Sequence, residues 1–128
     1  EEFKLSSGAW VYGGALREAL MRTLSALVAD IVLCDENKPY LTAMTWPKPD
    51  TTPAAIAAAL AQFNTTQHGG SRIHRLLLLT SPPDPNAHEM SDKGTVNRRA
   101  VIDRRRAEVE RLYSETPDAD ILIIEGKS

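Results

Sequence analysis

The loop from Glu89 to Asn97, Glu-Met-Ser-Asp-Lys-Gly-Thr-Val-Asn, contains the residues of this chain best suited to chemistry. Lys93 carries an ammonium group on a long flexible stem, and Gly94 gives the adjacent backbone unusual conformational freedom. Such a lysine can reach a carboxylate or a phosphate without the bidentate geometry that arginine favours. Most exposed lysines have no such role. Lys93 is therefore a candidate catalytic residue that needs support from elsewhere in the chain.

A second candidate segment is Ser6-Ser7-Gly8-Ala9-Trp10, which lies near the start of the chain. Short apolar runs on either side of Gly8 predict a hairpin-like β-arm whose glycine can adopt a positive φ. The simplest structural interpretation is a tight turn with a core tryptophan. Small residues such as Ser6, Ser7 and Gly8 also allow a ligand chain to pass close to the backbone. Both interpretations remain open from these residues alone.

The most basic stretch covers residues 98–111, where six arginines face three acidic residues and give a local charge of +3. The arginines are Arg98, Arg99, Arg104, Arg105, Arg106 and Arg111. Acidic residues at helical spacing compensate much of this charge, and no aromatic residues accompany it to stack on nucleic-acid bases. A solvated helix face is the simplest interpretation. A stand-alone protein- or RNA-binding module that uses this helix is the alternative function.

Other motifs are weaker. Gly126-Lys127-Ser128 looks like the end of a phosphate-binding loop, but Ile121 stands where that motif requires a glycine. The histidines His68, His74 and His88 lack metal-ligand spacing, and Cys34 has no partner for a CxxC motif. We therefore predict no metal site and no thiol catalysis in this chain.

Composition is that of a soluble, single-domain protein. The chain has 128 residues, 42% hydrophobic and 25% charged, and its net charge of −2 gives no general attraction to DNA or anionic membranes. It contains no apolar run near the length of about 18 residues that a membrane span needs. No signal peptide is evident, so we expect a cytoplasmic protein. Because the chain opens on Glu1 without a methionine, we expect it to be a piece of a longer polypeptide.

Hydrophobic periodicity predicts about three helices. The first follows Gly13-Gly14, the second begins at Thr52-Pro53 with an N-cap and a proline in the first turn, and the third covers roughly residues 97–113. Apolar residues recur at helical spacing in the first helix, at Leu16, Leu20, Leu24 and Leu27.

Strand-like runs at residues 28–33 and 40–46 are joined by turn formers and should pair antiparallel. Residues 73–79 are apolar enough to form a central strand covered on both faces. Residues 121–124 are a further candidate for an edge strand. The predicted fold is an α+β domain with a small three-stranded sheet, a short N-terminal β-arm and about three helices.

The loop around Lys93 and the opening segment Phe3–Val11 together resemble the small C-terminal domain of the adenylate-forming acyl-CoA synthetases, the AMP-binding superfamily. The resemblance covers roughly residues 1–114. Many members place this lysine after a glycine, whereas Asp92-Lys93-Gly94 has the order found in the feruloyl-CoA synthetase-like branch. The resemblance therefore points to that branch.

The resemblance implies specific roles for residues of this chain. Lys93 would assist adenylation, and Ser6, Ser7, Gly8 and Trp10 would form the loop that lines the channel for the CoA thiol. Glu1 would fall on or beside the hinge about which the domain rotates. Arg98 and Arg99 would be candidates for contact with CoA phosphates or with the large domain.

The whole enzyme implied by this resemblance would be an AMP-forming acid–CoA ligase. It would use ATP, Mg²⁺ and CoA to convert a carboxylic acid, aryl or fatty, first into an acyl-adenylate and then into a thioester. Residues 1–128 would be its mobile lid, and the partner of that lid would be a large N-terminal domain absent from this sequence. No nucleic-acid or membrane partner is implied.

Overall fold

The computed structural model describes residues 2–124. Glu1, the predicted hinge residue, and residues 126–128, with the phosphate-loop-like motif, lie outside the described residues. The strands are β1 (Glu2–Lys4), β2 (Trp10–Tyr12), β3 (Val28–Cys34), β4 (Leu41–Pro47), β5 (Ile73–Leu78) and β6 (Ile121–Ile123). The helices are α1 (Gly13–Leu24), α2 (Pro53–Asn64), α3 (Arg98–Arg104) and α4 (Arg106–Leu112).

The strands form two separate sheets. β1 and β2 pair antiparallel as the predicted N-terminal arm. The main sheet has the order β3-β4-β5-β6, in which β3 pairs antiparallel with β4, as predicted. β4 and β5 are parallel because α2 carries the chain back across the sheet between them. β5 is an interior strand, as predicted, and β6 closes the sheet as an antiparallel edge strand.

Helices cover the main sheet on both faces, so the domain has three layers. Residues alternate along β3, so that Ile31 and Leu33 face a core built with α1, α2 and the arm, while Val32 and Cys34 face the opposite core built with α3 and α4. The predicted stripe of α1 is confirmed, since Leu16, Leu20 and Leu24 are buried. The two-sided burial of β3 and the packing of α1 therefore follow from simple alternation and helical periodicity.

The predicted α+β fold is confirmed, but two counts differ from the sequence-based prediction. The main sheet has four strands rather than three, because the candidate edge strand of residues 121–124 forms as β6 and pairs with β5. The predicted third helix is divided at Arg105, whose backbone leaves the helical region at φ −106° and ψ 37°. Arg105 itself is 6% exposed, so its guanidinium lies inside the protein.

Local signals fixed the second helix well. The Thr52 hydroxyl accepts a hydrogen bond from the Ala55 backbone N–H, and Pro53 occupies the first turn, as predicted. At the end of this helix, the buried Asn64 amide holds the start of β5 by donating to the Ile73 carbonyl and accepting from the Ile73 N–H. None of the helices within residues 2–124 is long and apolar enough to span a bilayer.

Candidate functional site

Lys93 stands near the tip of a tight hairpin formed by residues 89–97, which we call the Lys93 hairpin. The Ser91 N–H donates to the Thr95 carbonyl at 2.8 Å, and the Gly94 N–H donates to the Ser91 carbonyl at 2.9 Å. Gly94 has a φ of +81°, a conformation that strains any residue with a side chain. The turn therefore depends on Gly94 and on Ser91, while the exposed Lys93 side chain makes no contribution to it.

The base of the Lys93 hairpin is anchored to the start of α3. Met90 and Val96 form an antiparallel bridge, and the Asn97 N–H donates to the Glu89 carbonyl at 2.8 Å. Asn97 then caps α3 by accepting from the Ala100 N–H. An open cleft lies between this base and the start of α1, lined by Gly13, Gly14, Arg17, Thr95, Val96, Asn97 and Arg98. The base of the hairpin that carries Lys93 is thus held by hydrogen bonds, and it borders an open cleft that Arg17 and Arg98 also line.

The second candidate segment forms the turn of the β-arm, residues 5–9, which we call the arm turn. The Gly8 N–H donates to the Leu5 carbonyl and the Leu5 N–H donates to the Ala9 carbonyl, both at 2.9 Å. Gly8 has a φ of +92°, and no atom lies within 4 Å of the position that a Cβ would occupy there. The turn is therefore tight in its backbone but open to solvent at Gly8.

The expected tight turn forms, but Trp10 does not lie in the core, so the prediction of a core tryptophan was wrong. Its side chain is 51% exposed, and the Lys4 ammonium lies 5.1 Å from the centre of its ring. The reason is the period of the strand, since Val11 is the β2 residue that faces the core while Trp10 and Tyr12 face outward. The arm thus presents two large aromatic side chains to the surface.

A cleft of about 260 Å³ adjoins the arm turn. Ser7 and Ala9 line one side, and the opposite side includes Tyr40, Arg72 and His74. The Tyr40 and His74 rings stack with their centres 5.0 Å apart. Burial, reinforced by the positive charges of Arg72 and Arg75, lowers the pKa of His74, so its imidazole is neutral at pH 7. The cleft therefore combines an aromatic wall with one nearby guanidinium.

The structure does not bring Lys93 together with the arm turn. The cleft at the Lys93 hairpin and the cleft at the arm turn share no lining residue. The base of the Lys93 hairpin lines a cleft with the start of α1, whereas the arm turn lies against residues 38–41 and 69–74. Two chemically different surfaces therefore exist on one small domain.

The arginines of residues 98–111 do not form the continuous solvated face expected from the sequence. Arg99, Arg104, Arg106 and Arg111 make ion pairs within the domain, and Arg98 Nε donates to the Leu33 carbonyl at 2.8 Å. The Arg98 guanidinium also lies 4.3 Å from the centre of the Phe3 ring. This distribution leaves the alternative of an RNA- or protein-binding helix with little uncommitted positive charge.

Sequence reasoning missed the buried pair of Glu89 and Arg105. Glu89 is 0% exposed and Arg105 is 6% exposed. Arg105 Nε donates to Glu89 Oε2 at 2.8 Å, and Arg105 Nη2 donates to Glu89 Oε1 at 3.1 Å. The sequence did hold a signal, because Arg105 occupies the middle of the buried helical stripe that contains Val101 and Val109. A charged residue in such a stripe requires a buried partner.

The charge state of Glu89 predicts an acid-sensitive domain. Burial alone would raise the pKa of this carboxyl, but hydrogen bonds from Arg105 and the Asp84 N–H, with the charges of Arg105 and Arg104, hold it below the ordinary value of 4.5. A depressed folded pKa gives stability that is present above the unfolded pKa and is lost as the pH falls below it. We expect the urea midpoint to drop as the pH falls below about 4.5, and to drop less in Glu89→Gln. An equal acid response in both proteins would contradict this assignment.

The described part of the chain contains no cluster suited to a metal ion and no reactive thiol. Within residues 2–124, no group of three or more His, Cys, Asp and Glu side chains is placed to hold a metal ion. Cys34 is fully buried, and burial followed by the charge of Asp35 raises the pKa of its thiol to about 12. Cys34 is thus a small core residue whose thiol is protonated at pH 7.

Comparison with known proteins agrees with the fold. The A-PCP didomain of carboxylic acid reductase from Segniliparus rugosus in complex with AMP matches with a TM-score of 0.72 and 22% identity. The A domain of that reductase, in complex with AMP and a co-purified carboxylic acid, matches with a TM-score of 0.72 and 23% identity. The adenylation domain of a carboxylate reductase from Mycobacterium chelonae matches with a TM-score of 0.72 and 21% identity.

These matches cover 88% of this chain but only 17% to 19% of the neighbours. No curated protein has significant sequence similarity to the chain. A family model described as the AMP-binding enzyme C-terminal domain matches residues 3–117, which span both the arm turn and the Lys93 hairpin. The chain therefore belongs to the family of AMP-binding enzyme C-terminal domains.

Proposed function

We propose that this chain is the C-terminal lid domain of an AMP-forming acid–CoA ligase whose large N-terminal domain is a separate part of the same polypeptide. The observation that carries the proposal is the presence of two distinct surfaces, one with an exposed lysine on a braced hairpin and one with an open glycine turn beside a cleft. A two-step reaction on one lid needs two such surfaces, because the domain presents one after the other to the same active site.

In the first step, Lys93 would stabilise the transition state of adenylation. Joining a carboxylate to the α-phosphate of ATP brings two anions together, and a preorganised ammonium group lowers the energy of that arrangement. Within residues 2–124, no acidic side chain pairs with Lys93, so its charge is available to a ligand. Mg²⁺ would neutralise phosphate charge, and its ligands would come from the nucleotide and the large domain.

In the second step, the arm turn would line the passage for CoA. The open space at Gly8 suits a pantetheine chain that must run close to the backbone. Ser6, Ser7 and Trp10 would contact that chain, and Arg72, which lines the adjoining cleft, would bind a phosphate group. Glu1, outside the described residues, would serve as the hinge.

The proposed acid is aryl or fatty, and the resemblance to the feruloyl-CoA synthetase-like branch favours an aryl acid. Support comes from the order Asp92-Lys93-Gly94, which this chain shares with that branch. The pocket that selects the acid would lie on the large domain.

A second candidate follows from the structural neighbours, which are adenylation domains of carboxylic acid reductases. In that case the enzyme would also form an acyl-adenylate, but the acyl group would be reduced instead of being released as a CoA thioester. Lys93 would keep its role, and the thiol that meets the arm turn would belong to a carrier domain.

The test is a product assay on the full-length enzyme with ATP, Mg²⁺ and ferulate, benzoate or octanoate. We expect pyrophosphate with at least one acid, and the acyl-CoA when CoA is added. Formation of an aldehyde on addition of NADPH, without acyl-CoA, would favour the reductase candidate. An enzyme that releases no pyrophosphate with any acid would contradict both candidates.

The isolated domain gives a further prediction. Residues 1–128 contain two buried cores and should fold, but we expect no pyrophosphate or acyl-CoA from them because most of the ATP pocket would lie on the large domain. Circular dichroism and the same product assay check the two statements. Turnover by residues 1–128 alone would contradict the assignment of this domain as a lid.

A further inference from the structure

The buried guanidinium of Arg105 ties the long loop of residues 81–96 to the protein at several points. Arg105 Nη1 donates to the Ser81 hydroxyl at 2.9 Å, and Arg105 Nη2 donates to the carbonyls of Ser81 and Pro82, both at 3.1 Å. The same side chain holds the Glu89 carboxylate through Nε and Nη2. Arg105 therefore joins the first residues of the loop to the base of the Lys93 hairpin.

Both carboxylate oxygens of Glu89 accept hydrogen bonds. Besides its two bonds from Arg105, Glu89 Oε1 accepts from the Asp84 N–H at 2.8 Å and from Arg104 Nη1 at 3.1 Å. The Glu89 backbone carbonyl accepts from the Asn97 N–H, which closes the hairpin. One residue thus fixes the hairpin base through its side chain on one side and through its backbone on the other.

A buried ion pair is a costly way to stabilise a fold. Removing two charges from water offsets most of their attraction, and packed apolar residues of similar volume often stabilise a protein as well or better. The pair instead fixes relative positions, because a guanidinium and a carboxylate form their two hydrogen bonds only within a narrow range of distances and angles. We call the pair of Glu89 and Arg105 the clamp. Lys93 lies four residues from Glu89 and four from Asn97, so the position of the clamp determines the position of the hairpin that carries Lys93.

We infer that Glu89 and Arg105 are positioning residues for Lys93, holding the hairpin so that its ammonium group meets the reacting phosphate. The inference rests on the proposed function. Displacement of a catalytic group by about 1 Å can lower a rate by about 100-fold. Loss of the clamp should therefore lower adenylation and leave the second step, which uses the separate arm turn, largely unchanged.

The experiment uses the full-length enzyme with Glu89→Gln and Arg105→Lys. With ATP and ferulate, we expect kcat for pyrophosphate release to fall about 10- to 100-fold, while thioester formation from supplied feruloyl-adenylate and CoA is retained. Asp35→Asn is the matched control, because it also breaks a buried carboxylate's ion pair with an arginine of α4, Arg106, yet it makes no contact with the loop. Asp35→Asn should retain both steps.

A double variant separates positioning from general destabilisation. If Glu89 acts through Lys93, adding Glu89→Gln to Lys93→Ala should not lower adenylation further. A further loss equal to that in the wild-type background, or equal losses in the two steps, would overturn the inference. Glu89→Asp, which keeps the charge but retracts the carboxylate, replaces Glu89→Gln if that variant does not fold.

Hydrogen exchange supplies a readout that does not depend on the reaction. The Asn97 and Thr95 amides should exchange at least about tenfold faster in Glu89→Gln than in the wild type or in Asp35→Asn. A wild-type enzyme that adenylates none of the acids would refute the proposed function. The exchange rates would then test only whether the Glu89–Arg105 pair holds the hairpin base. Unchanged exchange of both amides in Glu89→Gln would overturn that role of the pair.

Discussion

Lys93→Ala in the full-length enzyme is expected to lower the rate of acyl-adenylate formation by about 10² to 10³, since a preorganised charge contact contributes about 3 to 4 kcal/mol to transition-state stabilisation. The hairpin should survive the change, because its hydrogen bonds come from Ser91, Gly94 and Thr95 and not from the lysine side chain. Thioester formation from supplied acyl-adenylate should remain. Pyrophosphate release and acyl-CoA formation, measured separately, check the two halves.

Lys48→Ala is the matched control for this substitution. Lys48 is also exposed and also lies in a turn, the one that follows β4, but it is remote in sequence from both candidate surfaces. It should leave both steps unchanged. If Lys93→Ala lowered the two steps equally, a role restricted to adenylation would be refuted, and Lys93 would have to contact a group that both steps share.

Gly8→Leu is expected to have the opposite signature, in which acyl-adenylate accumulates while acyl-CoA appears slowly. A Cβ at Gly8 meets no atom of the domain, so the leucine side chain would project into the space proposed for pantetheine. Adenylation should be nearly intact because Lys93 stands on a different surface. Pre-steady-state measurement of pyrophosphate and acyl-CoA in one sample distinguishes accumulation from a general loss.

Gly8→Ala is the control that separates bulk from backbone strain. With a φ of +92°, position 8 strains both alanine and leucine, but only leucine adds a side chain long enough to fill the channel. We expect Gly8→Ala to keep a larger share of thioester formation than Gly8→Leu. Proportional loss of both products in the two variants would indicate a purely structural turn, and the proposed channel at the arm turn would then be wrong.

The elements that the sequence predicted well are those whose signals lie within one or two turns of chain. The α1 stripe depends on residues three and four apart, and the Thr52 cap acts on Ala55 in the next turn. The antiparallel β3–β4 pair follows from two apolar runs joined by turn formers. Lys93 beside Gly94 was identified as a candidate in the same way, since the hairpin that presents it is local.

By itself the sequence determined the helical stripes, the three strands β3 to β5, the arm and the candidate lysine, because the signal for each lies in residues that are close together in the chain. Only the tertiary structure decided the fourth strand, the exposure of Trp10 and the burial of Arg105. The bonds responsible join residues far apart, such as Arg105 to Ser81 and Arg106 to Asp35. Helical spacing places Arg105 in a buried stripe, where a charged residue needs a partner. That partner, the Glu89 carboxylate, lies in a loop with no periodic pattern, so only the packing of the loop brings the two side chains together.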